Sequence, residues 1–202
     1  MLTILSIIIL IFSVIIHEVS HGYMADVLGD PTARLQGRLT LNPLKHIDPV
    51  GSIIVPLITS AFGFTFGWAK PVIYNPYNLK NKRQGEFLIA LAGPLSNLSL
   101  AIIFGLLLRA LASAATAISP AMAVLMTIVL INIVLTIFNL IPLPPLDGSK
   151  LLLAFLPNQY GRFRRTLEMY APLFVLIVVF VLWQVVQPVI PWVFHLITGL
   201  TL

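Results

Sequence analysis

Residues 1–28 form an apolar run without proline, and the first sixteen of them carry no charge. A helix needs about 20 apolar residues to cross a hydrocarbon core of about 30 Å. Inside that core every backbone polar group must be satisfied within the protein, which leaves helices and closed barrels as the permitted folds. Long apolar runs recur at 86–112, 121–140 and 166–187. The expected fold is therefore an all-α polytopic membrane protein with about four transmembrane helices. Charge content agrees: 9% of residues are charged and mean hydropathy is +0.99, whereas soluble domains carry about 25% charge. The 202 residues fit one transmembrane domain, 1–202. The first run lacks a basic leader and a small-residue cleavage site, so it reads as a retained span.

One apolar stretch breaks the pattern. Residues 50–68 contain Gly51, Pro56, Gly63 and Gly67, too short and interrupted for an ordinary span. A re-entrant or strand-bearing segment between the first two spans is expected there. Residues 64–77, FTFGWAKPVIYNPY, are rich in aromatic and β-branched types and read partly as strand. If 50–68 does not cross, four spans remain. One side then holds Arg34, Arg38, Lys45, Lys70, Lys80, Lys82, Arg83, Lys150, Arg162, Arg164 and Arg165, and the other only Arg109. By the positive-inside rule the basic side is cytoplasmic in a multi-pass cell-membrane protein. The net charge of +5 then points to lipid headgroups as partners and away from nucleic acid. Cysteine is absent, which excludes disulfides, thiolate metal sites and cysteine nucleophiles within this sequence.

His17, Glu18 and His21 stand out against this background in the pattern H-E-x-x-H. On a helix, positions i and i+4 share a face. Two imidazoles can then bind one metal, with the intervening glutamate close enough to act on a water there. At about 1.5 Å per residue, His17 lies roughly 15 Å from a helix end near residue 28. That depth favours function over an interfacial polar cluster, because ionisable groups within a span are costly. Zinc hydrolases usually offer three protein ligands and one open position. Asp147, in a proline-broken turn after a span, is a candidate third ligand; a helix N-cap for residues 148–157 is the other role open to it. In the four-span arrangement Asp147 and the histidines approach the same membrane face.

His17-Glu18-x-x-His21 together with Asn139-x-x-Pro142-x-x-x-Leu146-Asp147-Gly148 resembles the site-2 protease family of intramembrane zinc metalloproteases. Further similar stretches are Asn42-Pro43, His46-Ile47-Asp48-Pro49-Val50-Gly51, Gly67-Trp68-Ala69-Lys70-Pro71-Val72, Asn75-Pro76 and Ala92-Gly93-Pro94-Leu95-Ser96-Asn97. The resemblance covers about residues 10–150 and is to compact bacterial-type members, without a PDZ domain or a C-terminal nucleotide-binding (CBS) pair. It implies Zn2+ as cofactor, His17, His21 and Asp147 as its ligands, and Glu18 as catalytic acid and base. Asn139 is assigned to hydrogen bonding with substrate or intermediate, with helix packing as its alternative. His46 and Asn97 are candidate substrate contacts as well. An interfacial role for His46, and an interhelical hydrogen bond for Asn97, remain open beside that.

The expected reaction is hydrolysis of a peptide bond in or near a transmembrane segment of a membrane-protein substrate. Strand-like residues 64–75 offer an edge to which an unwound substrate could add. A membrane metal-binding or transport protein, or an inactive scaffold, could use the same residues. Glu18 discriminates, since metal carriage does not require a proton shuttle.

Overall fold

In a computed structural model of the chain, the described residues are 2–54, 70–113, 117, 119–155, 166, 169–170 and 183–202. Helix α1 (Leu2–Val27) runs until Gly29, whose φ of 106° ends it. A short helix α2 (Thr32–Leu35) follows. The long α3 (Lys82–Ser113) and α4 (Pro120–Leu140) come next. Ser119 accepts from Met122 N at 3.3 Å, and Pro120 occupies the first turn of α4. Those are the expected cap and first-turn residues of a helix start. Helix α5 (Asp147–Phe155) follows the proline-broken turn, and α6 (Trp183–Val186) and α7 (Val189–Thr198) close the chain.

Three of these helices, α1, α3 and α4, are long and apolar enough to cross a membrane. Helix α3 is central, touching α1, α4, α5 and α7. Its Ala101 and Leu108 meet Met122, Val129 and Ile133 of α4 and Ile190 and Phe194 of α7 in one cluster. The outward faces stay apolar: Ile4, Ile7, Ile8 and Ile11 on α1 and Ile103 and Leu106 on α3 are exposed. In water such faces would promote aggregation; in a bilayer they meet lipid tails.

The expected fourth span, 166–187, lies mostly outside the described residues, which include only 166, 169–170 and 183–187 of it. The interrupted segment 50–68 is described only over Val50–Ile54, a single π-helical turn. No strand occurs among the described residues; of the stretch expected to be partly strand, 64–69 lies outside them and 70–75 has no regular secondary structure. The composition suggested a strand because β-branched and aromatic residues report burial as much as ladder pairing. The backbone donors of this segment go elsewhere. Lys70 N donates to His46 O at 2.8 Å, Val72 N to Glu18 Oε2 at 2.9 Å, and Asn75 N to Asp30 Oδ2 at 2.6 Å.

Asp30 is the staple that holds this segment over the end of α1. It is fully buried. Besides Asn75 N, its carboxylate accepts from Thr32 N, Thr32 Oγ1 and Asn78 Nδ2. Burial pushes its pKa up, but the hydrogen bonds from Thr32, Asn78 and Asn75 outweigh that and hold it below the usual carboxylate range. The two Asn-Pro pairs have a local explanation. Asn42 and Asn75 cap short 3-10 turns at Pro43–Lys45 and Pro76–Asn78, each side chain accepting from the backbone N–H two residues on.

Candidate metal centre

His17 and His21 lie one turn apart on α1, both buried. Their Nε2 atoms are 3.0 Å apart, and each is 3.0 Å from Asp147 Oδ2 at the start of α5. Three donor atoms from two distant stretches thus form a nearly equilateral triangle. Ligands at about 2.0–2.1 Å from a tetrahedral zinc lie roughly 3.3 Å apart, so only a small opening of the triangle separates these atoms from that arrangement.

The hydrogen bonds behind the rings show what the triangle suits. Asn132 Nδ2 donates to Ile128 O at 2.8 Å and to Ser13 Oγ at 3.0 Å, which turns its Oδ1 toward Asn97. Asn97 Nδ2 donates to that Oδ1 at 2.8 Å and to Ser13 O at 3.2 Å, which turns its own Oδ1 toward His17 Nδ1 at 2.6 Å. That oxygen only accepts, so His17 carries its proton on Nδ1. His21 Nδ1 faces Ile89 O at 2.6 Å and is protonated by the same logic. In the neutral rings both Nε2 atoms then present lone pairs to one another and to a carboxylate oxygen. One cation satisfies all three, and such outer partners are the usual means of orienting metal-binding imidazoles.

Two glycines permit this packing. A Cβ on Gly93 would stand 2.5 Å from His21 Cε1 and 2.6 Å from His17 Cε1, so α3 can press on the ring pair only with glycine there. A Cβ on Gly148 would strike the carbonyl groups of Leu140 and Ile141; glycine lets α5 begin tight against the end of α4. At its far end α5 is capped by Arg83 from α3, whose guanidinium donates to Ala154 O and Phe155 O. Asp147 is thereby fixed from both ends of its helix.

The triangle opens on a cavity of about 160 Å³, lined also by Glu18, Val72, Tyr74, Asn139 and Lys150. Glu18 Oε2 is held by Val72 N. Asn139 donates one amide N–H to Leu135 O at 3.0 Å and has no second acceptor among the described residues, which leaves its other N–H for a ligand. Five sequence candidates therefore converge: His17, Glu18, His21, Asn139 and Asp147. Asn97 and His46 do not line the cavity. Asn97 is fully buried behind His17 and makes interhelical hydrogen bonds, the other reading open for it. His46 is buried in the loop, where Nε2 donates to Thr40 O at 2.8 Å and its carbonyl holds Lys70 N. Sequence reasoning missed Lys150 at the cavity and Ser13 and Asn132 behind it. The two span residues had a readable signal, since polar groups within spans are seldom idle.

Comparison with known proteins adds an independent line. The model of "Peptidase family M50" matches residues 108–182, which include Asn139 and Asp147 but not the histidine pair. The chain is 41% identical over 156 residues to "Putative zinc metalloprotease YwhC" of Bacillus subtilis, covering 73% of this chain and 67% of that protein. It is 32% identical to "Putative zinc metalloprotease Rip2" of Mycolicibacterium smegmatis, covering 68% and 52%. It is 28% identical to "Zinc metalloprotease MJ0392" of Methanocaldococcus jannaschii, covering 79% and 36%. The chain thus spans two thirds of the first relative and 52% of the second. No solved structure matches it.

Proposed function

This chain belongs to peptidase family M50, the site-2 protease family, and from that premise we propose that it is an intramembrane zinc metalloprotease. It hydrolyses peptide bonds in or next to transmembrane segments of membrane-protein substrates; regulatory membrane proteins and leftover signal peptides are the substrates the family suggests. His17, His21 and Asp147 hold the zinc, and Glu18 is the acid and base. The observation that carries this is the convergence of His17 Nε2, His21 Nε2 and Asp147 Oδ2 at 3.0 Å beside Glu18 in one cavity.

When bound, zinc supplies Lewis acidity, polarising the scissile carbonyl and lowering the pKa of water toward about 7. The residues do the rest. Glu18 takes the water proton on its carboxylate and returns it to the leaving amine. Val72 N, fixed on Glu18 Oε2 at 2.9 Å, holds that carboxylate at the cavity. Asn139, with one amide N–H uncommitted, donates to the substrate carbonyl oxygen as charge develops there. The apolar surroundings raise the strength of each of these interactions by excluding bulk water.

A helical substrate must unwind before its carbonyls are accessible. The irregular segment at 70–75 runs past the cavity, with Val72 and Tyr74 in the lining, and offers a place for an unwound substrate to lie alongside. Its entrance is on the cytoplasmic side. Support comes from the basic residues Arg34, Arg38, Lys80, Lys82 and Arg83, which cluster near the end of α1 and the start of α3.

Glu18→Gln tests the proposal. Purified variant and wild type should bind equal zinc, and only the wild type should cleave a membrane-protein substrate. A variant that cleaves at the wild-type rate overturns the assigned mechanism; a wild type that binds zinc and cleaves no membrane-protein substrate makes a metal carrier the better description.

A further inference from the structure

Lys150 has no role in the scheme above, yet it lines the same cavity as Glu18 and Asn139. Its Nζ lies 2.9 Å from Asp147 Oδ1, three residues back on α5. Asp147 is thereby divided: Oδ2 faces both imidazoles and Oδ1 faces the ammonium. The Asp147 side chain is 8% exposed, so water contributes little to its solvation and the two oxygens have distinct protein partners.

The Lys150 side chain is 41% exposed, so part of its length meets water, but an ordinary ion pair on a solvated helix face does not account for where its ammonium sits. Lys150 sits in the first turn of α5, where a cation opposes the helix macrodipole. Acidic residues are the favoured ones there, and Asp147 already supplies one. Nor does the ammonium reach away from the site, as that of a lysine serving solubility would, although the stem is partly exposed. The ammonium points back to the carboxylate that closes the metal triangle.

Carboxylates bind metals through one oxygen or two. Two-oxygen binding by Asp147 would need Oδ1 to leave Lys150 and would fill a position beside the two imidazoles. Catalytic zinc sites keep one position open for the reacting water. We propose that Lys150 is a positioning residue that restricts Asp147 to one oxygen toward the metal and so preserves that open position. The proposal rests on the zinc-site reading above.

Cobalt(II) substitution of the full chain in detergent tests it, because visible absorption is stronger for four-coordinate than for five-coordinate cobalt. The wild type should give the four-coordinate spectrum. Lys150→Met should give the weaker, five-coordinate one, with zinc affinity about 10-fold to 100-fold lower by competition with a chelator. Lys150→Arg, which keeps a cation within reach of Oδ1, should restore the wild-type spectrum. If the Met variant does not fold, Lys150→Gln removes the charge with a long polar side chain in place and should show the same spectral change. An unchanged spectrum and affinity in the neutral variants overturn the role of Lys150 while leaving the zinc site standing. A wild-type chain that takes up neither cobalt nor zinc overturns both.

Discussion

His17 Nδ1 lies 2.6 Å from Asn97 Oδ1, across the packed faces of α1 and α3. This bond puts the ring proton on the side away from the cavity and turns the Nε2 lone pair toward Asp147. Asn97→Leu should weaken zinc binding about 10-fold to 100-fold. Asn97→Asp keeps an acceptor for Nδ1–H and should retain most of the affinity, although it loses the amide bonds to Ser13 and Asn132. Chelator-competition titration of folded protein separates the two variants. Equal affinities would assign Asn97 to helix packing alone.

Gly93→Ala inserts a methyl group into the space taken by the His17 and His21 rings. Overpacking of this kind costs about 1–3 kcal/mol. Here it should also part the rings, so the variant should lose zinc under dialysis that leaves the wild type loaded. Metal analysis beside thermal unfolding in detergent reads both effects.

Val72→Pro deletes the N–H that holds Glu18 Oε2 and leaves the three donor atoms untouched. A hydrogen bond to a charged group contributes about 1.5–3 kcal/mol, so cleavage should slow about tenfold or more while zinc content stays constant. Unchanged turnover would remove Val72 from the account of how Glu18 is positioned.

Asp30→Asn should destabilise the chain by about 2 kcal/mol at neutral pH, since four donors lose their carboxylate acceptor. The folded-state pKa of Asp30 is depressed. Its contribution is therefore fully present above the unfolded value of about 3.9 and is lost as pH falls through the lower, folded value. The stability gap between wild type and variant should be constant near neutrality and close progressively below about pH 4, as followed by unfolding at a series of pH values.

Much of the site was readable because its signals are local. The i, i+4 spacing of His17 and His21 and the position of Asp147 after a proline-broken span both survive translation into three dimensions. Three long apolar helices were equally plain, since composition alone decides which segments can enter lipid. The rest depended on contacts between distant segments. For Asn97 the sequence leaves a substrate contact and an interhelical hydrogen bond both open, because nothing in its own helix reveals that α1 presents His17 and Ser13 to it. Residues 64–77 read partly as strand from side-chain type, whereas in the described part the backbone donors of Lys70, Val72 and Asn75 are taken by His46, Glu18 and Asp30. In the sequence Lys150 stands only as one of the basic residues of the cytoplasmic side, since its i, i+3 spacing from Asp147 does not reveal that it faces the same cavity.

The central claim is that a residue more than a hundred positions from the histidine pair completes one zinc site. Zinc content of purified, dialysed Asp147→Ala beside wild type measures it most directly. The account predicts about one zinc per wild-type chain and loss of most of it from the variant, as expected when one of three protein ligands is removed. Equimolar zinc in Asp147→Ala, bound as tightly as in the wild type, would contradict it.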